Sequence, residues 1–267
     1  MLESGSDGAH SIRFFDSNCM IGRHNIFRPG SFHSKDRLLE EMGYYGISDA
    51  LVFHSVAMEN SPRMGNELAV EETFGAPCLR PSWSFMPPVT GETDPPEAFV
   101  REMRKHGVKV LRLFPSQYHF DFDDRSLGES LRLFSELRIP IIVDYAESTM
   151  SQVDLADWKS VVETCQTYPD LPVIVTEFRF RTNRRLYQAL ESCPNLRVEL
   201  SALWLFRSVE DICRRFGAER ILFGTRMPIR DPSCALGMVN YAMVSEEEKR
   251  MVAGDNLRRL MEGVRNG

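Results

Sequence analysis

Residues 97–114 read EAFVREMRKHGVKVLRLF: an amphipathic stretch that stops at Gly107, followed by a short apolar, β-branched run. Glycine is the usual residue just past a helix because it accepts positive φ. The same unit recurs as RLLEEMGYYGISDALVF over 37–53, turning at Gly46, and as SVEDICRRFGAERILFG over 208–224, turning at Gly217. Three further helix-like stretches reach their strands through RIP (138–140), YPDLP (168–172) and CPN (193–195), where proline stops the helix. Helices alternating with strands imply parallel pairing.

Eight strands are predicted, near 12–18, 49–57, 78–85, 108–114, 140–146, 172–178, 196–202 and 220–225; the third is interrupted by Pro81. Eight such units in 267 residues match the size of a (β/α)8 barrel. The predicted fold is therefore α/β, a TIM barrel in one domain spanning 1–267, with the barrel from about 12 and terminal helices over about 231–265. An open doubly wound sheet is the alternative, but no G-x-G-x-x-G follows the first strand and there is no P-loop. Ser245 with Glu248 forms a capping-box signature in the tail.

Composition excludes several function classes. The chain is 43% apolar and 26% charged, with a net charge of −6, and lacks the basic face that a nucleic-acid backbone requires. The densest basic run, RFRTNRR (179–185), reads as a loop and helix start. The six cysteines show no C-x-x-C spacing, which argues against a zinc knuckle, and their spread suits a reducing compartment. The polar, acidic start MLESGSDGAH lacks a signal-peptide core, and no apolar run is long enough to span a bilayer, so a cytoplasmic location is expected. A homodimer is left open.

Six of the apolar runs deliver a polar residue at once: IRFFDSN (12–18), VLRLFPS (110–116), IPIIVDYAE (139–147), LPVIVTEFR (171–179), LRVELSA (196–202) and RILFGTRMP (220–228). Strand ends are where parallel barrels build their sites. Asp144 ends the cleanest run, and buried Asp is rare unless paired; helix capping is its plainer role. Glu177 carries the same argument, with Arg179 as a structural partner. Arg112 sits mid-strand, either clamping an anionic substrate bidentately or forming an internal salt bridge. Glu199 is a weaker case of the same kind. His54, at the end of the second strand, and His119, in a loop beside Tyr118 and Phe120, are acid–base or pocket candidates against plain hydrogen-bonding roles. His24 and His33 lie after the first strand. Trp83 and Trp204 read as packing. Alternation turns Asn18 and Met20 inward and Cys19 outward, which discounts a Cys19 nucleophile. No H-E-x-x-H, G-x-S-x-G or S-x-x-K motif is present.

FFDSNCMIGRH (14–24) has the frame D-x-H-x-H-x-G and resembles the first-strand signature of the amidohydrolase-related (amidohydrolase 2 type) metal-dependent hydrolases; Asp16 and Gly22 match, while Asn18 and Met20 stand at the two histidines. RILFGTRMP resembles the last-strand phrase R-I-L-F-G-S-D-x-P, with Arg226 at the aspartate. Asp144 and Glu177 stand where two further strands end in histidine, and GDNLRRLM (254–261) resembles the closing helix. The resemblance covers about 12 to 262. It implies a barrel in which histidines and a carboxylate hold a divalent metal that lowers the pKa of bound water, while the last-strand aspartate takes the proton. On that alignment all five metal-site positions differ: an amide, a thioether and a permanent cation replace the expected groups. Arg226 is then expected to pair with Asp144 or Glu177.

Three readings follow. The first is a metal-independent hydrolase or lyase for an anionic small molecule, with Asp144 or Glu177 as the base, Arg112 and Arg226 holding the substrate, and no cofactor. The second is a non-catalytic barrel binding a ligand or a protein. The third is a metal hydrolase with a rearranged set of Asp144, Glu177, Glu199 and a loop histidine, whose oxygen-rich ligands suit magnesium, manganese or calcium.

Overall fold

The computed structural model describes residues 12–25, 28–145, 156–178 and 183–266. The elements, in chain order, are β1 (Phe14–Ile21), α1 (Lys35–Tyr45), β2 (Ile47–His54), α2 (Ser55–Glu59), α3 (Pro62–Thr73), β3 (Leu79–Pro81) and β4 (Trp83–Ser84). Next come α4 (Pro96–Lys105), β5 (Leu111–Leu113), α5 (Pro115–Tyr118), α6 (Asp124–Glu136), β6 (Ile141–Asp144), α7 (Trp158–Thr167), β7 (Val173–Thr176) and α8 (Asn183–Ser192). The chain closes with β8 (Leu196–Glu199), α9 (Ser208–Phe216), β9 (Ile221–Leu222), α10 (Pro232–Asn240), α11 (Glu246–Arg250) and α12 (Asn256–Glu262). Ser34, Ser61, Asp123, Asp157 and Ser245 cap helix N-termini with their side chains, and Gly46 ends α1 in the left-handed region.

All strand pairings are parallel, in the order β1-β2-β3 and β4-β5-β6-β7-β8-β9. The two runs join into one barrel. Ser17 N–H donates to the Phe223 carbonyl (3.0 Å) and Met20 N–H to that of Met227 (2.8 Å), which seats β1 beside β9. The predicted third strand is two pieces rather than one. Ser82 N–H still donates to Val52 in β2, but Trp83 N–H turns to Val110 beside β5. Pro81 has no N–H to continue a ladder, and the stave changes partner there.

Alternation places one side of each strand against the helices and the other in the barrel. Val52, Leu111, Leu113, Val143, Val175 and Val198 join the outer core. Inside, Phe15, Leu51, Val110, Ile142, Ile174 and Leu222 form an apolar floor, closed by Leu257 and Met261 of α12. Above it stand polar side chains, and above those Met20, Phe53, Met58 and Phe114. β1 carries one extra residue, since Asp16 faces Ala50 whereas Cys19 faces Val52. This bulge lets Phe15 and Met20, five positions apart, both face inward, and it leaves Cys19 in the outer core.

Candidate active site

The polar layer is an ion-paired network. Asp144 ends β6 with its side chain wholly buried, and Arg112 Nη1 of β5 donates to its Oδ2 at 2.7 Å. Arg226 Nη1, arriving after β9, donates to the same oxygen. Arg112 Nη2 donates to the Ser17 carbonyl at 3.0 Å, and its guanidinium lies 4.6 Å from the Phe53 ring centroid; that of Arg226 lies 5.5 Å from the same ring. Arg112 and Arg226 are only 0% and 1% exposed, which no arginine sustains without partners of this kind. Burial holds the pKa of Arg112 below its usual range despite Asp144. For Arg226 burial pulls the same way, but Asp144 and Glu177 outweigh it and raise the pKa. Both stay charged.

Asn18 links this pair to a second carboxylate. Its Oδ1 accepts from Arg226 (3.3 Å) and its Nδ2 donates to Glu199 Oε2 (2.9 Å). Thr176 Oγ1 (2.6 Å) and Ser201 Oγ (2.7 Å) donate to the same oxygen, and Ser201 N–H (2.7 Å) donates to Oε1. Glu199 is thereby fully engaged, and Gly224 explains how it fits: a Cβ there would lie 2.1 Å from Glu199 Oε1. Asp16, which matches the family frame, accepts from Asn18 N–H (2.9 Å) and from Thr225 N–H (3.0 Å) and Oγ1 (2.5 Å); burial raises its pKa against those bonds.

Glu177 differs from the other carboxylates. It sits just past β7 at φ 59°, and Arg226 sits at φ 62°, backbone that non-glycine residues adopt only when their surroundings enforce it. Glu177 Oε2 accepts from Arg230 Nη2 at 2.8 Å. Its Oε1 faces Arg226 Nε at 3.9 Å, beyond hydrogen-bond reach, and has no hydrogen-bond partner among the described residues. Its side chain keeps 12% exposure and that of Arg230 26%, so this pair stands at the rim of the network. Arg230 lies 5.5 Å from the ring centroid of Trp204, itself exposed.

The other predicted residues lie apart. His54 Nδ1 accepts from Val56 N–H (3.2 Å) and so caps α2, and burial lowers its pKa. His119 is exposed and ends α5 at φ 53°. His24 pairs with Glu59 (3.4 Å), and the His33 carbonyl accepts from Gly22. Met20 is enclosed by apolar side chains, and Trp83 packs in the outer core. Arg179 lies outside the described residues. Sequence reasoning missed Arg230, Thr176 and Ser201; four residues after Arg226, Arg230 was detectable as a second cation in the same loop.

These residues do not fit a divalent metal. The Asp144 oxygen that faces the centre is taken by two guanidiniums, the Asn18 carbonyl by one, and Glu199 by neutral donors. A divalent cation there would face two fixed positive charges. Among the described residues, no group of three or more His, Cys, Asp or Glu is placed to hold a metal. Among the described residues, Asp144, Glu177 and Glu199, the carboxylates of the third reading, are held by separate donors and do not form such a group.

The fold is shared with known proteins. An uncharacterized TIM-barrel protein from Bordetella bronchiseptica superposes with TM-score 0.73 at 17% identity, covering 94% of this chain and 99% of that one. 5-Carboxyvanillate decarboxylase from Sphingomonas paucimobilis gives 0.72 at 13%, covering 94% and 99%. A dihydroxybenzoic acid decarboxylase from Polaromonas, with bound manganese, gives 0.70 at 12%, covering 94% and 97%. No curated protein matches in sequence. No described helix is long and apolar enough to cross a membrane. The amidohydrolase family model matches residues 34–261, and the chain belongs to that amidohydrolase family.

Proposed function

We propose that this chain is a small-molecule hydrolase or lyase for an anionic substrate, working without a metal, with Glu177 as its acid–base group and Arg226 and Arg230 as its cationic wall. The observation that carries the reading is the state of Glu177: a carboxylate at a barrel-strand end, with one oxygen unpartnered and cations on both sides. A carboxylate so placed can move a proton, while the guanidiniums oppose the negative charge that develops on the substrate. Asp144 serves here as a positioning residue, since it holds both Arg112 and Arg226.

The decarboxylase names of the similar structures suggest the first substrates to test. In such a reaction the bond to the carboxylate breaks, carbon dioxide leaves, and the ring carbon takes a proton, which Glu177 delivers. Purified protein is incubated with 2,6-dihydroxybenzoate and 5-carboxyvanillate in the presence of chelator. Turnover that persists in chelator and is lost in Glu177→Gln is the expected result. Turnover abolished by chelator, or unchanged in Glu177→Gln, overturns the proposal.

A second reading, a barrel that binds such a carboxylate without transforming it, is favoured by the engagement of Asp144 and Glu199 with internal donors. It requires saturable binding with no product.

A further inference from the structure

Beside the polar layer, the turn after β8 and helix α10 enclose a pocket of about 250 Å³. An apolar cavity of about 150 Å³ holds benzene, so this one has room for a ring with a short arm. Leu200, Ala235, Met238 and Trp204 supply its apolar walls. Leu200 and Ala235 are buried and Met238 is half-buried, while Trp204 is 61% exposed and forms the wall that meets solvent.

The polar groups on this lining are almost all spent internally. Ser201 Oγ donates to Glu199 Oε2 (2.7 Å), Thr225 Oγ1 to Asp16 Oδ2 (2.5 Å) and the Trp204 indole N–H to the Ser201 carbonyl (2.8 Å). Asp231 caps α10, its Oδ1 accepting from Ser233 N–H (2.8 Å). A hydroxyl or amide on the body of a ligand would lose its water here without gaining a partner. Arg230 is the exception. Its Nη1 donates to Ser201 and one Nη2 hydrogen to Glu177 at 2.8 Å, while Nε–H and the other Nη2 hydrogen have no acceptor among the described residues. The side chain is 26% exposed and borders the pocket on one side and Glu177 on the other. Paired guanidinium N–H groups are matched by the two oxygens of a carboxylate.

We propose that the anionic substrate is a monocarboxylate with an apolar body about the size of a phenyl ring. The body fills the pocket against Ala235, Met238 and Trp204, and the carboxylate takes the free N–H groups of Arg230, one guanidinium away from Glu177. Met238 and Trp204 are then specificity residues. The inference rests on the reading of Glu177 and Arg230 as the site for an anionic substrate.

3-Phenylpropanoate is the probe, with 3-phenylpropan-1-ol as its uncharged counterpart and pentanedioate as a carboxylate that would put a second charge where the ring lies. Binding is followed by calorimetry and by the rate at which iodoacetamide alkylates Cys234, an exposed thiol on the pocket lining, read by peptide mass spectrometry. The expected result is a 3-phenylpropanoate Kd below about 1 mM and alkylation of Cys234 slowed at least about fivefold at saturation, with neither effect from the other two compounds. Affinity is expected to fall at least about tenfold in Arg230→Gln, and likewise in Ala235→Leu and Met238→Glu, which fill or charge the pocket. No binding of 3-phenylpropanoate, an unchanged rate at Cys234, equal binding of the alcohol, or an affinity untouched by both pocket variants overturns the proposal. Binding as expected together with turnover unchanged in Glu177→Gln keeps this inference and removes the Glu177 assignment. Turnover of 2,6-dihydroxybenzoate that is lost in Glu177→Gln, with no binding of 3-phenylpropanoate, does the reverse.

Discussion

One oxygen of Asp144 receives two guanidiniums, and that asymmetry sets what each substitution does. In Asp144→Asn, Arg112 and Arg226 face each other in a buried interior with no anion between them, and breaking a buried pair from one side costs about 3–5 kcal/mol. In Arg226→Met, Asp144 keeps Arg112 at 2.7 Å, so a buried ion pair survives. Urea unfolding is therefore expected to show Asp144→Asn as the more damaging change, by at least about 1 kcal/mol. The opposite order would mean that Arg112 alone does not satisfy Asp144. Part of this arrangement was legible from sequence. Carboxylates and a permanent cation at matched strand ends predict that Arg226 pairs with Asp144 or Glu177, and Asp144 is the one it hydrogen-bonds. The engagement of Arg112 was legible only as one of two alternatives, because a mid-strand arginine reads equally as clamp or as internal partner until the register places Arg112 one strand from Asp144. The pairing of Arg230 was not legible, since nothing local ties it to Glu177, which it reaches across 53 positions.

At the scale of elements, two short strands control the polar layer. β8 presents Glu199 inward, and the segment after β9 passes so close that Gly224 leaves no room for a side chain. Its constraint is space, not backbone, because Gly224 is absent from the positive-φ glycines. Gly224→Ala is expected to displace Glu199 from Ser201 and Thr176 and to lower stability by about 1–3 kcal/mol in urea. A variant as stable as the parent would show that the strand end can shift without cost. The glycine was visible in RILFG as a family match, yet its reason lies in a side chain 25 residues earlier that no local pattern reports. The strands themselves were legible as short apolar, β-branched runs that follow a glycine or proline stop, as in β6 after Pro140. The third stave was not, because Pro81 signals a break but not the change of hydrogen-bonding partner at Ser82. The bulge in β1 left the inward reading of Asn18 and Met20 intact because the extra residue falls between Asp16 and Cys19.

For the whole molecule, the interior is layered: apolar floor, charged middle, apolar cover. The Asp144 and Asn18 side-chain oxygens already accept from guanidinium hydrogens, and the positive charge of this layer comes from the chain itself. Two consequences can be measured together. Protein purified without chelator or metal-affinity resin is expected to carry far less than one divalent ion per chain by mass spectrometry. Zinc, manganese or magnesium is expected to leave its melting temperature unchanged, whereas a native-state ligand at a hundredfold excess over Kd adds about 2.7 kcal/mol of stability. About one ion per chain, with a rise in melting temperature on adding it back, would require the Arg226–Asp144 contact to open in the metal-bound state. The reading of Glu177 as a metal-free acid–base group would then give way to chemistry organised around that ion.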